Sequence, residues 1–100
     1  MMLCYTTCKN AAEAKKIAKH LLAKKLIACA NMFEIRSLYF WKGALRDEPE
    51  VFLLMKTQAK HWPAIQREIK KIHSYTLPAL VRLSAHGTAP FESWITSQTR

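Results

Sequence analysis

One hundred residues are enough for a single domain with one core, and dividing them would leave each half too small to fold without staples or partners. Half of the residues are hydrophobic, with only two glycines and four prolines, which excludes a disordered or collagen-like chain and implies long regular elements joined by short loops. Sixteen Lys and Arg against seven Asp and Glu give a formal charge of +9, enough to attract polyanions, and no apolar run approaches the roughly 18 residues of a membrane-crossing helix.

Leu3 to Thr7 reads as a short strand, after which the hydrophobic period changes from about two to about 3.6. Met1 to Thr7 has neither a basic flank nor a small-residue cleavage site, so a signal peptide is not expected. Asn10 is a good N-cap and Glu13 completes a capping-box pattern, opening a helix with an apolar stripe of Ala14, Ile17, Ala18, Leu21 and Leu22. Lys15, Lys16 and Lys19 fall between those positions and face water.

Leu26 to Trp41 is rich in β-branched and aromatic residues, and it breaks at Lys42-Gly43, where glycine permits a turn. The segment Ala28 to Thr57 therefore reads as a long hairpin. Beyond Ser37 the bulky residues Leu38, Tyr39, Phe40 and Trp41 occupy both phases, which predicts a bulge or bend near Ser37 or an arm covered on both faces. Arg46, Asp47, Glu48 and Pro49 read as a polar connection, and the second arm is predicted from about Glu50 to Thr57.

From about Ala59 to Ile72 the helical period returns, with Trp62, Ile65, Ile69 and Ile72 on one stripe and Pro63 confined to the first turn. Leu80 to Ala85 reads as a last strand and Pro90 to Thr96 as a short terminal helix carrying Phe91, Trp94 and Ile95. The order βαββαβ plus a tail helix predicts one α+β domain over residues 1–100. It is a ferredoxin-like, four-stranded antiparallel sheet with both main helices on one face. The other face is left open, and in a chain this short its simplest cover is another copy.

The segment Leu26 to Asn31, then Ser37-Leu38-Tyr39-Phe40-Trp41-Lys42-Gly43, then Glu50 to Lys56-Thr57, resembles the CutA divalent-cation-tolerance family. The match continues through His73-Ser74-Tyr75 with Pro78 and through Trp94, so it spans nearly the whole chain in order. The resemblance implies a cytoplasmic homotrimer linked to tolerance of copper and other divalent cations. It also implies long second and third strands that reach onto neighbouring subunits and create clefts between them, with Leu38, Phe40, Trp41 and Trp94 expected at the contacts. The family usually reads His-Pro-Tyr where this chain has His73-Ser74-Tyr75, and a copper-linked cysteine of some members aligns near Thr6.

Copper or another divalent cation favours imidazole and thiolate, so His73 with a nearby cysteine or Tyr75 is the place to look for a ligand. Cys4, Cys8 and Cys29 have no CxxC spacing, and each lies in or beside a predicted strand, where a thiol commonly packs as a small hydrophobe in a reducing cytoplasm. Lys56 ends an apolar strand and needs a carboxylate such as Glu50 or Glu92, water or an anion beside it. With Tyr39, Trp41, Tyr75 and Glu50 it forms the candidate set for a cleft ligand, and an anion sensor or an enzyme using that cleft is the alternative reading. No Gly-rich phosphate loop, HExxH or GxSxG is present, so catalysis is not expected and no cofactor is required. Basic helices invite a nucleic-acid reading, but Glu50 to Thr57 lacks the basic-Gly-aromatic signature of RNA-recognition domains, which argues against it.

Overall fold

The computed structural model of the chain describes residues 1–100 and opens with strand β1, Met2–Cys8. Met2, Cys4, Thr6 and Cys8 are buried while Leu3, Tyr5 and Thr7 alternate onto the other face, the period of two that a half-covered strand requires. Helix α1, Ala11–Ala23, starts where Asn10 turns extended and its side chain accepts the Glu13 N–H at 2.9 Å. Glu13 reaches back one residue further than a capping box does and accepts the Lys9 N–H at 3.0 Å.

The end of α1 is closed by a lysine in a position glycine usually fills. Lys25 has a left-handed φ of 57°, its N–H donates to Leu22 at 3.0 Å, and the Leu26 N–H donates to Leu21 at 3.0 Å. This is the paired closure of a helix C-terminus. A side chain in that conformation costs roughly 1 kcal/mol, part of which glycine gives back through a more mobile unfolded chain. Lys25→Gly is therefore expected to raise stability by roughly 0.5 kcal/mol in urea melts. A loss of stability would show that the lysine side chain, not the turn, matters there.

Strands β2, Cys29–Trp41, and β3, Ala44–Thr57, form the hairpin, joined by Lys42 and Gly43 with φ of 50° and 79°. Two consecutive left-handed residues match the twist of the flanking strands and fix the register. Pairing runs from Cys29 opposite Lys56 to Trp41 opposite Ala44 without an inserted residue, so the bulge considered near Ser37 is absent. Residues 46–49 are also strand rather than a connection. Their charges pair locally, Arg36 with Asp47 at 2.6 Å and Arg46 with Glu48 at 3.2 Å. Pro49 is tolerated because β1 joins β3 only from Val51 onward, so the missing N–H of Pro49 leaves no ladder partner unmet.

A 3₁₀ turn, Ala59–His61, leads into α2, Trp62–Ile72, with Pro63 in its first turn. Strand β4, Leu80–Ser84, and helix α3, Ala89–Gln98, complete the chain. The sheet order is β2-β3-β1-β4 with every neighbouring pair antiparallel, the ferredoxin-like arrangement. Ile17 and Leu21 of α1 and Ile65 and Ile69 of α2 pack with Leu53, Met55 and Cys4 in one core of 14 buried residues.

The open face carries an aromatic row across three strands, with Tyr5 stacked on Phe52 at 4.6 Å and Phe52 on Phe33 at 5.1 Å. Past the end of β1 the hairpin continues as a two-stranded ribbon, and the molecule measures 45 × 25 × 21 Å. Leu38, Phe40 and Leu45 lie on the helix-side face of that ribbon, and Tyr39 and Trp41 on the other. Phe40 is 75% exposed and Leu38 67%.

Candidate functional site

The loop that follows α2 folds back over the end of β1 and is anchored by His73. Its N–H donates to Ile69 at 2.9 Å, ending the helix, and its ring is buried. The ring Nε2 lies 2.9 Å from the Thr7 carbonyl and Nδ1 accepts the Tyr75 N–H at 3.1 Å. A carbonyl can only accept, so Nε2 donates to Thr7 and Nδ1 is the acceptor for Tyr75.

Beside that ring are two groups from distant parts of the sequence. The Cys8 thiol, the Glu13 carboxylate and the His73 ring present ligand atoms within 4.8 Å of one another. Glu13 is buried, and its second oxygen accepts the Ser74 N–H at 2.9 Å across 61 residues of sequence. Burial alone would raise its carboxyl, but hydrogen bonds from Ser74 and Lys9 outweigh that and hold it below the usual carboxylate range. Burial pushes the Cys8 thiol up to about 12, with the negative Glu13 and Glu50 adding to it, so the thiol is protonated at neutral pH.

Ser74 stands where the resembled pattern has proline. Proline has no N–H, so the bond that ties the loop to Glu13 depends on this difference. Thr6, aligned near the copper-linked cysteine of some members, has a buried hydroxyl with no hydrogen-bond partner, and no thiol is present at that position.

Next to the cluster, the open face and the loop enclose a cleft of about 860 Å³. Glu50, buried on β3, accepts the Tyr75 hydroxyl at 2.7 Å. Burial and then that acceptor push the Tyr75 phenol above its ordinary range, so it remains a donor. Tyr39 donates to Glu48 at 3.4 Å from the ribbon side, and Tyr5, Trp41 and Arg46 complete the walls.

Of the residues singled out from the sequence, the structure brings together His73, Tyr75, Glu50, Tyr39 and Trp41 at this end of the sheet. Lys56 is elsewhere. It shares a strand face with Glu50 but lies six residues along β3, roughly 20 Å away by the strand rise. Its ammonium sits 5.7 Å from the Phe91 ring of α3, and Phe91 stacks on Trp94 at 5.9 Å. Trp94 is therefore at the opposite end from Leu38 and Phe40.

Cys8, Glu13, Glu48 and Arg46 were not singled out as site residues. Glu13 had a signal of its own, since it lies four residues before Ile17 and so falls on the buried stripe of α1, where a carboxylate needs partners.

The fold has close counterparts. The chain is 34% identical over 101 residues to the divalent-cation tolerance protein CutA of Pyrococcus horikoshii, covering 100% of this chain and 99% of that one. The crystal structure of CutA1 from Pyrococcus horikoshii matches with a TM-score of 0.96 at 33% identity, over 100% of this chain and 99% of that one. The structure described as the periplasmic divalent cation tolerance protein CutA from Archaeoglobus fulgidus matches with a TM-score of 0.95 at 35% identity, over 98% of each. A family model described as CutA1 divalent ion tolerance protein matches residues 2–98, and the chain belongs to that family.

Proposed function

We propose that the protein serves divalent-cation tolerance as a homotrimer, each subunit taking up one divalent cation of borderline softness, copper(II) in the first instance, at Cys8, Glu13 and His73. The observation that carries the metal reading is the convergence of a thiol, a carboxylate and an imidazole within 4.8 Å, a donor set suited to copper or zinc. Binding is weak on this reading. The cation must displace the thiol proton of Cys8 and the Thr7 or Tyr75 bond to His73, and it competes with the Lys9 and Ser74 N–H groups for the Glu13 oxygens. Weak, reversible uptake suits buffering or signalling better than a permanent metal centre.

Copper titrated by calorimetry into the wild type is expected to give one site per subunit, weakened at least tenfold in His73→Ala and in Cys8→Ser. Equal affinities in all three proteins would remove this cluster as the site. The trimer is supported by Phe33 on the open face and by Leu38, Phe40 and Leu45 on the helix-side face of the ribbon, which a single copy leaves in water. Placement in the cytoplasm belongs to the same proposal and is supported by three cysteines that all remain unpaired. No helix of the chain is long and apolar enough to cross a membrane.

A further inference from the structure

The cleft beside the cluster has a charge sign opposite to that of the chain. The protein carries +9, yet no lysine lines this cleft. Its charged groups are Glu48, Glu50 and Arg46, and Arg46 is held by Glu48 at 3.2 Å. One carboxylate, Glu50, is thus left without a cationic partner. It is only 6% exposed, one oxygen accepts the Tyr75 hydroxyl, and the other has no hydrogen-bond partner in the protein. Tyr75 touches this carboxylate, and Tyr5, Tyr39 and Trp41 line the same cleft.

The free oxygen opens to the cleft, where a donor or a cation can reach it, and aromatic faces attract the same charge through their quadrupoles. An anion would meet two carboxylates and only one guanidinium already engaged by one of them. A bare metal ion would leave most of about 860 Å³ unfilled, a volume in the range of small-molecule sites. We propose that this cleft binds a small organic cation, an ammonium group on a flat apolar body, with Glu50 and Glu48 facing the charge and the four aromatic side chains enclosing the rest. None of Cys8, Glu13 and His73 lines the cleft, so a different set of side chains carries this proposal. Within the subunit Lys56 is not one of the cleft walls, since its ammonium lies over Phe91 of α3.

The test uses the assembled protein and three probes of similar shape: phenethylammonium, neutral phenethyl alcohol and anionic phenylacetate, each followed by calorimetry and by ligand-observed NMR. Phenethylammonium is expected to bind at least tenfold more tightly than the alcohol, and phenylacetate not at all. Glu50→Gln, whose amide oxygen still accepts from Tyr75, is expected to weaken phenethylammonium at least tenfold. Glu48→Gln, on the exposed ribbon, is expected to weaken it about threefold, and it serves as the readout if the buried variant does not fold. No binding of phenethylammonium, binding of phenylacetate as tight as that of the ammonium, or an affinity unchanged in both folded variants would overturn the proposal.

Discussion

Replacing Leu38 and Phe40 together with glutamate is expected to turn the protein from a species of three times the chain mass of 11.5 kDa into a monomer. Both side chains stand on the helix-side face of the ribbon, beyond the reach of the subunit's own core. A two-stranded ribbon is marginal in water, so its order in solution requires a cover. Burying each of these side chains contributes roughly 2 kcal/mol, hence roughly 12 kcal/mol over three subunits. Glutamate removes that term and places charges where neighbouring subunits would have to desolvate them. Sedimentation velocity at micromolar concentration reads the result directly, and the melting temperature should fall with the loss of assembly. Lys42→Glu, a charge change at the exposed turn, is the control and should leave the trimer intact. A double variant that still sediments at three times the chain mass would place the subunit contacts elsewhere. A wild type that sediments as a monomer would end the trimer proposal itself.

The parts of the fold that were legible in the sequence are those written in local chemistry. The change of period after Thr7, the Asn10 cap and the Lys42-Gly43 turn each act within a few residues, and together they order the elements. The stretch 46–49 read as a connection because charge and proline usually interrupt strands. Its strand character comes from partners on β2 that only the register supplies. The candidate site divides in the same way. His73 and Tyr75 stood out in a short motif, and Glu50 was suspected through its strand. The roles of Cys8 and Glu13 depend on contacts spanning about 60 residues, since Glu13 reads as a cap until Ser74 is placed against it. Lys56 shows a further limit of such reading, because the phase of a strand says which face a residue shares but not how far along that face it lies within the subunit.

That buried Glu13 carboxylate is where the largest single-residue effect on stability is expected. It accepts backbone N–H groups from Lys9 and Ser74, fastening the start of α1 to the loop that carries His73. Hydrogen bonds to a charged acceptor contribute about 1.5 to 3 kcal/mol each, so Glu13→Ala is expected to lose about 3 to 5 kcal/mol in urea melts at pH 7. Its folded pKa is depressed, so its contribution is fully present above the unfolded value of about 4.3 and is lost as pH falls through the folded value. The gap between wild type and Glu13→Ala should therefore be constant from pH 7 down to about 5 and narrow below about 4. Glu68, held down to about 2 by His20 first and then Lys71 and Lys24, loses its contribution in the same direction. It is present in both proteins, so the difference between them isolates Glu13. Ser74→Pro separates the two bonds. His73 has φ −73° and ψ 138°, the extended backbone that a residue before proline prefers, so the substitution removes the N–H without forcing the preceding residue out of shape. It is expected to cost about 1 to 2 kcal/mol and, by releasing one Glu13 oxygen, to tighten copper binding about tenfold. Stability that falls with no change in copper affinity would confine Glu13 to a structural role.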